Sequence, residues 1–218
     1  MEKLADAGNG NYSYIDSLAE AQKVLVEQAG GTLVTVAKDV KLQIEFNPRA
    51  VASYRLIGYE NRLLQDHDFN DDKKDAGDMG AGHSVTALYE LIPAGQPAGT
   101  PSIDPLKYQQ PGAPSRAAAN GEALTVKIRY KQPEGESSAL MTVAVAEKSA
   151  PSPELGFAAA VAEFGMLLRD SEFKGGSSFA AAQALARRFK GDDPHGHRAE
   201  FIRLIDAADG VVRLQATR

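Results

Sequence analysis

The chain contains no cysteine. That excludes disulfides, thiolate nucleophiles and cysteine-based zinc sites, although it does not fix the compartment. No apolar run approaches the roughly 20 residues that span a bilayer. Lys/Arg runs and Arg–aromatic interleaving are also missing, and the formal net charge is -5. Nucleic acid is therefore not expected as the main partner, because phosphate binding needs a basic surface. The opening Met1-Glu2-Lys3-Leu4-Ala5-Asp6 has neither the basic nor the apolar region of a signal peptide. If the parent protein is exported, its signal is expected to lie outside this chain.

What is present is an ordinary globular composition. The 218 residues are 43% hydrophobic and 24% charged, enough for one large domain or two small ones. Gly8-Asn9-Gly10-Asn11 ends a first helical segment, Met1–Ala7, and Tyr12–Ile15 reads as a short strand. Ser17 and Glu20 have the spacing of a capping box, with Leu18, Ala21 and Leu25 at helical intervals and Gly30-Gly31 as the stop. The period then changes to two. Val40, Leu42, Ile44 and Phe46 alternate with Lys41, Gln43 and Glu45, which predicts a half-buried strand with its polar face in water. Leu33–Val36 is an earlier strand or part of the same one. Further strands are predicted over Val51–Glu60, Ser84–Ile92, Ala123–Lys131 and Ala139–Glu147, the last two joined by a turn at Pro133-Glu134-Gly135-Glu136. Residues 93–121, with Pro97, Pro101, Pro105, Pro111 and Pro114, read as a long loop.

Beyond the linker Ser149–Pro153 the pattern is helical. Leu155, Ala158, Val161 and Leu168 share one face. Ser177 or Ser178 caps a second helix bearing Phe179, Ala182, Leu185, Ala186 and Phe189. Pro194 or Gly196 opens a third, with Phe201, Leu204 and Ile205. Strands first and helices second predict an α+β fold. The expected architecture is an antiparallel sheet or sandwich of about five strands followed by a C-terminal three-helix unit.

Two stretches carry a family resemblance. Gly8–Ala21 (GNGNYSYIDSLAEA) resembles the last strand and helix of bacterial von Willebrand factor A-type (VWA) domains. Phe164–Ser171, Arg198–Ile202, Tyr54–Arg62 and Gly80–Glu90 resemble the domain that follows VWA in the YfbK-like family. The resemblance implies three parts: a VWA remnant over 1–31, a β-rich domain over 32–148 and a helical subdomain over 149–218. It also implies a full VWA domain upstream, holding a divalent metal through a D-x-S-x-S motif that this chain lacks. No cofactor is thus expected within this chain. The partner it implies is that VWA domain, with another envelope protein or a homodimer as further options. A periplasmic or envelope location, often as a lipoprotein, follows from the family alone. The expected function is a non-enzymatic protein-binding or scaffold module, or a purely structural domain packing on its own VWA domain.

The rival reading is a metal-dependent hydrolase or Ca-binding domain built on residues 66–78, where Asp66, Asp68, Asn70, Asp71, Asp72, Asp75 and Asp78 cluster. Clustered oxygens suit hard cations, and the candidate ligands are Asp66, Asp68, Asn70 and Asp72. An EF-hand needs Gly at its sixth position and Glu at its twelfth, where Asp71 and Gly77 stand. A solvated acidic loop is the simpler expectation. Gly80-Ala81-Gly82-His83-Ser84 lacks the helix of a phosphate cradle and reads as a glycine-rich approach to a strand. His83 and Ser84 have no nucleophile-elbow context. His195-Gly196-His197 reads as an interhelical turn before it reads as a metal pair. Arg198 and Glu200, and Arg55 with Glu60 and Arg62, are candidate ion-pair locks of helices onto the sheet. Tyr12, Tyr14, Tyr54, Tyr59 and Tyr89 are expected to pack on strands.

Overall fold

The computed structural model describes residues 4–5, 12–58, 63–96, 113–147 and 152–216. The fold is α+β: six antiparallel strands in two sheets, with a helical unit at the C-terminal end. The strands are β1 (Thr35–Phe46), β2 (Val51–Ile57), β3 (Gly77–Gly80), β4 (Leu88–Pro93), β5 (Glu122–Lys131) and β6 (Ser138–Ala146). A four-stranded sheet has the order β3-β1-β5-β6, and β2 and β4 form a separate ribbon. The helices are α1 (Leu18–Gln22), α2 (Ala29–Leu33), α3 (Pro153–Leu168), α4 (Phe179–Arg188) and α5 (His197–Ala216).

Several expectations need correction. Tyr12–Ile15 is irregular and exposed instead of a strand, since no neighbouring strand among the described residues pairs with it. The Ser17 hydroxyl accepts from the Glu20 N–H at 3.1 Å, but Glu20 spends its carboxylate on Lys23 and completes no capping box. The helix does not stop at Gly30-Gly31. A wider turn over Lys23–Glu27 leads into α2, which runs through both glycines to Leu33. Strand β3 begins at the end of the segment read as an acidic loop and runs past it to Gly80, and the strand expected from Ser84 begins only at Leu88. Met1–Ala7, most of the proline-rich loop, and Tyr59 to Arg62 lie largely or wholly outside the described residues.

The chain divides into two compact units. The first holds the described parts of Met1–Tyr54, Tyr59–Ala87 and Leu91–Glu147; the second holds Arg55–Gly58, Leu88–Glu90 and the described part of Lys148–Arg218. In the first, Gly80 is buried where α2 crosses β3, and a Cβ there would overlap the Gly31 carbonyl. In the second, Ser152 and Ser178 cap α3 and α4 through the N–H groups of Leu155 and Ala181. The core consists of Ala160, Phe164, Ala182, Ala186, Ile202 and Ile205. Phe164 meets the edges of Phe179 and Phe201 at 6.0 and 5.5 Å between centroids, the geometry aromatic quadrupoles favour. Alanines on α3 and α4 let the helices approach closely enough for these rings to interlock.

Two glycines on these helices should respond oppositely to alanine. A Cβ at Gly156 would strike the Phe189 ring, whereas nothing lies within 4 Å of one at Gly210 in α5. Gly156→Ala is expected to lose about 1–3 kcal/mol through overpacking. Gly210→Ala is expected to gain about 1 kcal/mol from helix propensity. Urea unfolding midpoints of the two variants check both signs.

Candidate functional site

The pairing register sorts the side chains of the large sheet onto two faces. Leu42–Ile128–Met141, Ile44–Val126–Val143 and Phe46–Leu124–Val145 stand in three successive rows across β1, β5 and β6. The other face carries Lys41–Arg129–Leu140, Gln43–Lys127–Thr142 and Glu45–Thr125–Ala144, with Lys127 and Glu45 paired at 3.2 Å. Alternation in the sequence predicted this partition, with Leu124, Val126, Ile128 and Tyr130 together.

It did not predict which face would be covered. Lys41, expected in water, is 2% exposed, while Leu42 on the opposite face is 42% exposed. The acidic segment causes the inversion. Its 3-10 turn, Asp66–Asn70, lies across the basic side chains of the polar face. The Lys41 ammonium donates to the carbonyls of Asp68 and Asp71. Arg129 donates to the Asn70 side-chain Oδ1 at 3.0 Å and stands 5.5 Å from the buried Phe69 ring. Lys131 donates to Asp39 at 2.5 Å and to the Asp72 carbonyl at 2.8 Å. Most of the segment remains exposed, as a solvated loop would, but Asp68 and Phe69 are buried against the sheet. Bonds from the basic stripe to the segment's main-chain carbonyls and to the Asn70 side chain, together with burial of Phe69, fasten it to the sheet.

This placement accounts for each candidate ligand. Asp68 is buried, accepts from the Gln65 N–H at 3.3 Å and pairs with Lys74 at 3.6 Å. Asn70 is bound by Arg129. Asp72 accepts from the hydroxyl and N–H of Ser138, and these bonds hold its carboxyl below the usual range. Asp66 is exposed. Among the described residues no three His, Asp or Glu side chains stand close enough to hold a metal ion.

A second cluster centres on Asp39, at a bulge of β1 where φ is 49°. Its N–H donates to Asp78, and its carboxylate accepts from the Ala76 N–H and from Lys131. Burial pushes this carboxyl up, but the Lys131 bond and the Ala76 N–H outweigh it, and the net direction is down. Asp75 goes the other way: partial burial first, then the neighbouring Asp39 and Asp78 carboxylates, push it up.

The remaining candidates are dispersed. His83 and Ser84 are exposed on an irregular stretch. His195 and His197 stack at 5.7 Å beside the start of α5. That helix is capped by Asp193, which sequence reading missed; its carboxylate takes the N–H groups of Arg198 and Ala199 at 3.1 and 2.8 Å. Arg198 does lock, but within the helical unit, to the Lys190 carbonyl at 2.8 Å and over the Phe157 ring at 4.8 Å; Glu200 is exposed. Arg55 bonds Glu90 and covers the Phe173 ring at 4.1 Å. Tyr54 stacks on Phe46 at 4.1 Å and prolongs the apolar face; it is exposed, as are Tyr12 and Tyr14.

That apolar face is an unsatisfied surface of the first unit. Leu42, Met141 and Val143 are 42%, 47% and 48% exposed, and among the unit's described residues the only large apolar side chains that are buried are Val51 and Phe69. Residues 31–211 match a family model described as "Uncharacterized protein YfbK, C-terminal". The chain belongs to this family. It is 50% identical over 212 residues to the "Uncharacterized protein YfbK" of Escherichia coli (strain K12), covering 97% of this chain and 36% of that relative. The chain therefore spans about a third of the length of the YfbK protein it matches. No solved structure matches it. No helix among the described residues is long and apolar enough to cross a membrane.

Lys41→Met would leave two carbonyls without their donor and is expected to cost about 1–3 kcal/mol, read from the denaturation midpoint. Acid should act on the Asp39 cluster in two stages. Asp75, raised, costs stability while charged, so it gives a small gain as pH falls towards its folded value. Asp39, lowered, contributes stability that is lost as pH falls through its own folded value, below about 4. Melting curves from pH 6 to 3 should show the early gain abolished by Asp75→Asn and the later fall flattened by Lys131→Met.

Proposed function

We propose that this chain is a non-enzymatic packing and scaffold module of a longer YfbK-type polypeptide. Its large sheet binds the remainder of that polypeptide through the apolar face bearing Leu42, Ile44, Val126 and Ile128. The observation that carries the reading is the open face itself. A sheet normally buries one face, and here the face occupied by the chain's own acidic segment is the polar one. Covering each half-exposed Leu, Met or Val contributes on the order of 1 kcal/mol, so a patch of three rows favours a permanent neighbour. The length of the YfbK relative supplies room for one. The Gly8–Ala21 resemblance makes a VWA domain the neighbour in this reading. An envelope location, as a lipoprotein, belongs to the same reading.

The test uses the longer polypeptide divided into two co-produced pieces, this chain and the portion preceding it. The two are expected to copurify. Leu42→Glu should weaken their association by at least about tenfold while changing the stability of this chain by no more than about 0.5 kcal/mol, as for an exposed position. Pieces that do not associate, or an association indifferent to Leu42→Glu, would refute the proposal.

A further inference from the structure

The sheet has a second open boundary, independent of the face just discussed. Strand β6 stands at its edge, and among the described residues no strand pairs with its outer side. Edges of this kind invite pairing with other chains, and proteins usually guard them with Lys, Pro, a bulge or a short strand. Strand β6 has none of these over its central stretch. It reads Ser138-Ala-Leu-Met-Thr-Val-Ala-Val-Ala146, without charge, proline or glycine. Its pairing with β5 runs without a register shift from Leu124–Val145 to Lys131–Ser138. Leu140, Met141 and Val143 are each about half exposed.

We infer that β6 pairs antiparallel with β6 of a second copy, across a two-fold axis at Thr142. The strand runs from Ser138 to Ala146, and Thr142 is its midpoint. An isologous contact must be complementary to itself. Here Ala139 faces Val145, Leu140 faces Ala144, Met141 faces Val143, and Thr142 faces its own counterpart. Each larger side chain opposes one no bulkier than valine, and no charge meets its like, a conflict that a two-fold axis imposes on charged strands. The Met141 and Val143 pairs lie on the apolar face, so pairing continues that face from one copy into the next. A chain with a net charge of -5 repels its copies in general, and this uncharged edge brings no further like charges together. The contact uses main-chain groups in the plane of the sheet, so it does not depend on what covers the apolar face.

The absence of cysteine makes the register directly testable. In the full 218-residue chain, Thr142→Cys places two thiols opposite each other, with Cα atoms about 4.5–5.5 Å apart, within disulfide range. Ala139→Cys places its two thiols six residues out of register, about 20 Å apart. Mild oxidation should convert Thr142→Cys to a covalent dimer and leave Ala139→Cys monomeric. Thr142→Glu suits its neighbour Lys127 within one copy and opposes two carboxylates across the axis. It should weaken sedimentation-measured self-association about fivefold, with an unchanged circular dichroism spectrum. A wild-type chain that sediments as a monomer at about 100 µM would overturn the inference. So would equal cross-linking of the two cysteine variants, or a dimer indifferent to Thr142→Glu.

Discussion

The Lys41 ammonium, shut away from water and held by the carbonyls of Asp68 and Asp71, decides which side of the sheet stays available. Burying an ammonium is costly unless its donors are met, so the turn that supplies those carbonyls must stay where it is. Arg129 and Lys131 add bonds to Asn70 and Asp72 from the same face. Once the acidic segment is fixed there, the opposite face with its rows of Leu, Ile, Val and Phe has no cover from that segment. A sheet that solvated its polar face would have been free to fold its loops over the apolar one.

The helical unit follows a different logic. It buries alanine, phenylalanine and isoleucine among its own helices and has a continuous small core. Its helix ends are satisfied by Ser152, Ser178 and Asp193, and Arg198 ties the loop before α5 back to Lys190. The helical unit thus gathers its buried residues into one cluster, while the sheet leaves Leu42, Met141 and Val143 half exposed on one side.

Period-two alternation made β1, β5 and β6 legible, down to which residues share a face, because side-chain direction in a strand is local. The cap at Ser178, one of two neighbouring serines, was legible for the same reason, whereas the cap at Ser152 was hidden within the linker Ser149–Pro153. Lys41 was not. Its burial depends on a segment some thirty residues away, and charge runs alone read as solvated. Strand β3 was hidden because Gly77-Asp78-Met79-Gly80 has no strand propensity; its place comes from pairing with β1 and from α2 passing over Gly80. Of the candidate site, the aspartates were found but their employment was not, since Asp68 and Asp72 are defined by Lys74 and Ser138 more than by each other.

The strand order carries a kinetic consequence. β5 and β6 are joined by a short turn and can zip locally, on the microsecond scale of a hairpin. β1 sits between β3 and β5, so its second partner is made only after the whole proline-rich stretch has been synthesised. Closing that long loop costs entropy before any pairing repays it, which slows high-contact-order sheets. During synthesis β1 therefore waits half-paired, and lengthening the proline-rich connection would delay the sheet far more than it would weaken it.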